Sequence, residues 1–231
     1  MFIHHPQIDF IFKTGIISID KILCNEIKSG HLIEITGKKG SGKTQLSFFI
    51  CAVSSLNNKK VIYVDGSGNF RPERIKSMIE KTLIDNNHET NIYLKNIVYQ
   101  RIYELEDLAK LVKKIKLINF DILILDDIIQ IFLNRFKENT RLEVRSFLRE
   151  MSMLTLSKKI IILFTNITIE KVSKDAKGTY MHELFFHDIL RYVHFKFFLK
   201  NHHNNKQITE CKTIYPYSTK NSKTDVDLSR Y

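Results

Sequence analysis

The segment Gly37-Lys38-Lys39-Gly40-Ser41-Gly42-Lys43-Thr44 sets glycines, a lysine and a hydroxyl at the spacing G-x-x-x-x-G-K-[ST]. Glycine has no Cβ, so such a loop wraps closely enough for several N–H groups to converge on one anion. A helix starting at its end adds a positive dipole. In this pattern Lys43 reaches the β- and γ-phosphates of a nucleotide, and the Thr44 hydroxyl is placed to ligate Mg²⁺. A phosphate loop needs a second acid to hold the metal. Asp126 terminates Ile122-Leu123-Ile124-Leu125, so its carboxylate should emerge at the sheet edge that carries the loop, on a strand expected to lie beside the one before the loop.

These residues need elements to position them. Apolar stretches of strand length alternate with stretches of helical period, the pattern of an α/β fold with a mainly parallel sheet flanked by helices. A strand is expected at Leu32 to Thr36, running into the glycine loop, then a helix from Lys43 or Thr44 to about Ser55. Val61 to Asp65 reads as the next strand. Arg71-Pro72-Glu73 opens a helix expected to run to about Asp85, because proline suits the first helical position and an acid there complements the dipole. Ile97 to Gln100 reads as a short strand, and Leu105, Leu108, Leu111, Val112 and Ile115 recur at helical spacing. Asp121 to Leu125 and Lys159 to Thr165 are buried strands by composition, with a helix over Leu142 to Leu156 between them. From Asn166 to about Glu183 the chain is polar and aperiodic. Alternating strands near Arg191 to Leu199 and Gln207 to Ile214, joined by NHHNNK, predict a C-terminal antiparallel hairpin on the sheet edge. One core over residues 1–217 and a polar, disordered tail over 218–231 are expected.

Composition narrows the partners. With 36 Lys+Arg against 25 Asp+Glu the 231-residue chain carries a formal charge of +11, a field that favours a polyanion, although the free use of Lys, Asn and Ile supplies part of that excess. Cys24, Cys51 and Cys211 are odd in number and far apart, which argues against a disulfide framework or a CxxC metal site. The longest apolar runs, such as DILILDDIIQIF, contain acids and fall short of the roughly 20 residues that span a bilayer. A soluble cytoplasmic protein, nuclear in a eukaryote, with no membrane partner is expected. His4-His5 and His202-His203 read as surface pairs without acids at ligand spacing, and His187 as a packing residue.

The ordered motifs resemble the RecA/RadA recombinase superfamily, and the short form is most similar to archaeal RadB-type recombinase paralogues. TGIISIDKIL at Thr14 to Leu23 is similar to the family's lead-in helix, and GSGKTQL at Gly40 to Leu46 carries Gln45 after the glycine loop. VIYVD followed by FRPERI, from Val61 to Ile75, together with NIVYQRIY at Asn96 to Tyr103 and LFTN at Leu163 to Asn166, match family segments in order and approximate spacing. The resemblance covers roughly Thr14 to Leu199. It implies a RecA-like P-loop core that binds ATP and Mg²⁺ through Gly37, Lys38, Lys39, Gly40, Ser41, Gly42, Lys43, Thr44 and Gln45, with Asp126 as the second metal-holding acid and Arg74 over or near the adenine. It also implies two loops that touch single-stranded DNA: Asn134 to Arg141, offering Arg135, Lys137 and Arg141, and Ile167 to Tyr180, offering Lys171, Lys174 and Lys177.

Three departures from the family pattern bear on activity. The family's strand ending at Asp65 is followed by Thr and then a Glu that polarises water; here Ser67 stands at the Glu position, and a serine is a poor base near neutral pH. The Gln that follows LFTN in the family and senses the γ-phosphate is Ile167, which cannot make that hydrogen bond. Thirteen residues precede Thr14 and hold no Phe-x-x-Ala motif, so filament formation by this chain alone is not expected, while assembly with a full-length recombinase stays open. Asp127 sits where some other P-loop ATPases keep a catalytic Glu and is a substitute base alongside Lys43, or an acid that starts a helix. The expectation is an ATP-binding recombinase paralogue that assists homologous recombination and DNA repair on single-stranded DNA with weak hydrolysis. The alternatives are a competent DNA-stimulated ATPase using Asp127 and a nucleotide-gated scaffold that does not touch DNA.

Overall fold

The computed structural model describes residues 10–22, 27–83, 90–133, 139–172, 179–202, 208–216 and 223–230. The elements follow as α1 (Ile17–Ile22), β1 (Leu32–Gly37), α2 (Lys43–Leu56), β2 (Val61–Asp65), α3 (Pro72–Thr82), α4 (Thr90–Leu94), β3 (Ile97–Arg101) and α5 (Leu105–Ile115). Then come β4 (Ile122–Asp126), α6 (Ile128–Ile131), α7 (Thr140–Lys158), β5 (Ile161–Val172), β6 (Thr179–Glu183), α8 (Phe186–Ile189), β7 (Phe195–Asn201), β8 (Ile208–Tyr215), β9 (Lys223–Asp227) and a terminal 3-10 turn, Leu228–Arg230. The sheet runs β3-β2-β4-β5-β1-β7-β8-β9, with β6 paired to β5. Every pairing from β3 to β7 is parallel, and β7, β8 and β9 are antiparallel to one another.

The central strands are apolar on both faces because helices cover both. Ile33, Ile35, Ile122, Ile124, Ile161 and Leu163 pack into one layer with Leu46, Phe48 and Ile50 of α2 and Ile75 and Ile79 of α3. Leu32, Leu123, Leu125, Ile162 and Phe164 pack into the other with Leu108, Leu111, Val144 and Leu148 of α5 and α7. Adjacent residues of one strand thus go to opposite layers, as the two-residue period of a strand requires. The α/β class, the mainly parallel sheet and the antiparallel C-terminal strands agree with the sequence expectation. No helix among the described residues is long and apolar enough to cross a membrane.

Three expectations are corrected. The strand bearing Asp126 does not adjoin the one before the glycine loop, because β5 lies between β4 and β1. The aperiodic segment after Asn166 is not a loop throughout: β5 continues to Val172 and pairs antiparallel with β6. Main-chain pairing, which no side-chain period reports, decides that. Finally, the expected disordered tail contains β9, paired with β8 over Lys223–Asp227, and its Val226 and Leu228 are buried. The ladder to β8 and the burial of these two apolar residues dock a segment whose overall composition is polar.

Candidate functional site

Parallel strands deliver their carboxyl ends to one edge. Gly37 lies opposite Ile167, Thr36 opposite Asn166, and Asp65 opposite Asp126, so the glycine loop and the acids meet there. The loop is closed by close backbone approaches. A Cβ on Gly37 would stand 2.4 Å from the Leu199 carbonyl oxygen and 2.5 Å from Ser41 Oγ, and Gly42, at φ +91°, would meet Leu228 Cδ1 at 2.5 Å. Behind Gly42, α2 begins directly at Lys43.

Lys43 is nearly buried, and its ammonium donates to the carbonyls of Gly37 (3.0 Å) and Lys38 (2.9 Å). Burial lowers its pKa, against the opposing charges of Asp127 and Asp126. The Ser41 hydroxyl is buried and has no hydrogen-bond partner. A cradle too tight for side chains, a buried cation and an unpaired hydroxyl at a helix start together fit a phosphate group. The cavity in front measures about 590 Å³ and is lined by Lys39, Gly40, Gly42, Lys43, Thr44, Gln45, Ser67, Asn69, Asp127, Gln130 and Ile167.

Asp126 is buried and accepts hydrogen bonds from Tyr63 Oη (2.9 Å) and Thr165 Oγ1 (2.8 Å), with the Thr44 hydroxyl near it. Burial and the neighbouring Asp127 charge push its carboxyl up to about 6, against the lowering effect of the Thr165, Thr44 and Tyr63 hydroxyls. A cation would oppose both raising effects, so Thr44 and Asp126 together fit a hard metal ion with oxygen ligands. Thr165 ties β5, the strand that separates β4 from β1, to the end of β4, since its hydroxyl also accepts the Asp127 N–H at 2.8 Å. Neither Tyr63 nor Thr165 is legible as a site residue in sequence, although LFTN marks a polar residue ending a buried strand.

Asp127 adopts φ +57° and faces the cavity, where its Oδ1 accepts from Gln130 Nε2 at 3.0 Å. The chain can pass there because position 66 is glycine: a Cβ on Gly66 would come within 2.7 Å of the Asp127 carbonyl oxygen. Asp127 stands at the N-cap of α6, the helix-starting position considered as its alternative role, although its side chain makes no capping hydrogen bond. Ser67 also lines the cavity, with its hydroxyl donating to Asp65 Oδ1 at 3.1 Å and accepting from Asn69 Nδ2 at 2.9 Å. Asp65 organises this turn. Burial alone would raise its pKa, but N–H bonds from Phe70, Gly68 and Ser67 and the Arg101 charge lower it. Gln45 donates to the Leu228 carbonyl at 3.4 Å, which ties the C-terminal turn to the loop. Arg74 is exposed on α3 and does not line the cavity.

Behind Ile167 lies a buried polar hub. Lys196 on β7 bonds both Glu34 of β1 (2.7 Å) and Glu183 of β6, while Asn166 Nδ2 donates to Glu34 (2.9 Å), to Glu183 (3.4 Å) and to the Leu184 carbonyl (3.0 Å). One ammonium faces two carboxylates, so burial and the Glu34 charge raise the Glu183 pKa.

Of the six cations expected on DNA loops, Arg135, Lys137, Lys174 and Lys177 lie outside the described residues. The other two stand together: Arg141 and Lys171 line one cavity of about 750 Å³ with Thr168, His182 and His187. Arg141 is on α7, where its Nε pairs with buried Asp188 at 3.0 Å, and Lys171 is an exposed residue of β5 rather than of a loop. His187 is exposed on this wall instead of packed in the core. Phe185 adopts a left-handed φ of +54°, the region that glycine favours.

A glycine cradle ending the inner strand of a mostly parallel sheet, with a buried strand-end aspartate near the hydroxyl behind its lysine, defines the RecA-like P-loop class. The model of the Rad51 family matches residues 8–184, and the chain belongs to that family. It is 28% identical over 231 aligned residues to the DNA repair and recombination protein RadA of Methanococcus maripaludis, covering 86% of this chain and 68% of that protein. It is 31% identical over 183 residues to the meiotic recombination protein DMC1 homolog A of Oryza sativa, covering 74% of this chain and 52% of the relative. The DMC1 homolog of Arabidopsis thaliana is 36% identical over 129 residues, 52% of this chain and 36% of the relative.

Proposed function

We propose that the chain binds ATP with Mg²⁺ against Gly37–Thr44 and serves as a Rad51-family recombinase paralogue that assists homologous recombination and repair on single-stranded DNA. The observation that carries this reading is the cradle itself: buried Lys43 held by loop carbonyls, the unpaired Ser41 hydroxyl, and buried Asp126 near the Thr44 hydroxyl. Phosphate oxygens would take over Lys43 and the loop N–H groups, and Thr44 with Asp126 would hold the metal, which neutralises charge on the phosphates when bound. DNA contact is supported by the +11 charge and by the wall shared by Arg141 and Lys171. The RadA and DMC1 relatives carry recombination in their names and point the same way.

Hydrolysis is weak in this reading because the Ser67 hydroxyl is occupied by Asp65 and Asn69, and Ile167 presents no polar atom to the γ-phosphate end of the cavity. That is the assignment of an accessory paralogue working beside a full-length recombinase in cytoplasm or nucleus. The competing reading, Asp127 as the base of a competent ATPase, is favoured by one observation: its carboxylate side faces the same cavity as Lys43. Calorimetry with Mg-ATP, followed by turnover with and without single-stranded DNA at two salt concentrations, decides. Binding with slow turnover that is unchanged in Asp127→Asn supports the paralogue. Fast turnover lost in Asp127→Asn supports the ATPase. Mg-ATP binding with no salt-sensitive DNA affinity leaves the nucleotide-gated scaffold, and no heat of association with intact protein removes the nucleotide reading altogether.

A further inference from the structure

The sequence offers His202 no acid at ligand spacing, yet the fold brings two. Antiparallel register sets Glu210 of β8 across from Asp225 of β9 and from Lys200 of β7, and His202 follows β7 with its N–H on the Ile208 carbonyl at 3.0 Å. The candidate ligand atoms of His202, Glu210 and Asp225 lie within 4.8 Å of one another, and His202 Nε2 is already 3.0 Å from Asp225 Oδ1. A small cavity of about 90 Å³ opens beside them, lined by Lys200, Asn201, His202 and Glu210.

We propose that His202, Glu210 and Asp225 form a binding site for a divalent transition-metal ion of the zinc class, built across the last three strands. One imidazole nitrogen and two carboxylate oxygens are a zinc-type donor set, whereas magnesium and calcium prefer oxygen alone. Zinc bound at about 2.0–2.2 Å to each ligand asks for ligand atoms about 3.3 Å apart, a contraction that rotation of the exposed Asp225 and the half-buried Glu210 side chains supplies. The positive neighbours do not block it. Lys223 Nζ stands 3.7 Å from Glu210 on a side chain that is 69% exposed, so it withdraws into solvent when a divalent ion takes its place. The other coordination positions fall to water.

The ion would fasten the edge of the nucleotide cavity. Asn201, next to His202, donates to the Gly40 carbonyl at 2.9 Å, and β9 carries the chain from Asp225 to Leu228, which packs against Gly42. The proposal needs no nucleotide, so its test stands apart from that of ATP binding. The chelator-treated full chain is titrated with Zn²⁺ in excess Mg²⁺ by calorimetry, and hydrogen exchange is followed over residues 223–230. One zinc per chain is expected, with affinity falling at least about tenfold in His202→Asn, Glu210→Gln and Asp225→Asn. It should persist in His203→Asn and in the His4→Asn/His5→Asn double variant, and zinc should slow exchange over 223–230 in the unaltered chain. Absence of zinc uptake, equal affinity in the three ligand variants, loss of binding in the control variants instead, or exchange over 223–230 indifferent to zinc overturns the proposal.

Discussion

The two walls of the nucleotide cavity are built differently. The phosphate wall is backbone: Gly37, Gly40 and Gly42 shape it, and the one essential side chain, Lys43, is held by loop carbonyls. The opposite wall is made of side chains, Ser67, Asn69, Asp127, Gln130 and Ile167, fixed by local hydrogen bonds such as Ser67 to Asp65 and Gln130 to Asp127. A wall made of main chain changes only if glycines or the helix start change. A wall made of side chains can lose its chemistry by one substitution while its shape survives, so binding and hydrolysis are separable here.

The largest test of that contrast restores the missing group. Ser67→Glu should raise ATP turnover by on the order of 10²-fold or more, the worth of a positioned base, with Mg-ATP affinity nearly constant; unchanged turnover would show that the wall lacks more than a carboxylate. Next comes the hub that holds the far wall. Lys196→Met leaves Glu34 and Glu183 buried without their ammonium, and chemical denaturation should report a loss of about 3–5 kcal/mol. Lys43→Ala removes the buried side-chain cation of the phosphate wall and should weaken Mg-ATP by about 10- to 100-fold, the worth of one or two charge-assisted hydrogen bonds, leaving the denaturation midpoint without nucleotide within error of the parent.

The smallest effect lies at the other end of β1 and serves as a control. His31 stacks on His194 with centroids 5.1 Å apart, and burial together with the His194 charge lowers its pKa to about 4. A depressed histidine pKa means the folded state prefers the neutral ring. Its contribution is present above the unfolded value near 6.5 and is lost as pH falls toward about 4. The slope of thermal midpoint against pH in that window should flatten in His31→Asn, with no change in nucleotide affinity.

Much of this was legible before any coordinates. Local pattern suffices for the glycine loop because its spacing encodes a backbone path, and for the strands because buried parallel strands are continuous apolar runs: Val61 to Asp65 falls on β2 without adjustment. Acid at a strand end was legible for Asp126 for the same reason. Strand order was not, since β5 inserts between β4 and β1 through contacts far apart in sequence, and Thr165 became part of the site only through that insertion. Arg74, assigned to the adenine by resemblance, is exposed and is not among the residues lining the cavity.

By itself, then, the amino-acid order determined the α/β class, the phosphate loop and the absence of a glutamate at position 67, because each rests on residues adjacent along the chain. Tertiary structure alone decided that Asp127 faces the cavity, that Lys196 joins Glu34 to Glu183, that a polar-looking terminus docks as β9, and that His202 meets Glu210 and Asp225. Those contacts join segments whose proximity depends on strand order and register, quantities set by the packing of the whole sheet rather than by any local stretch of sequence.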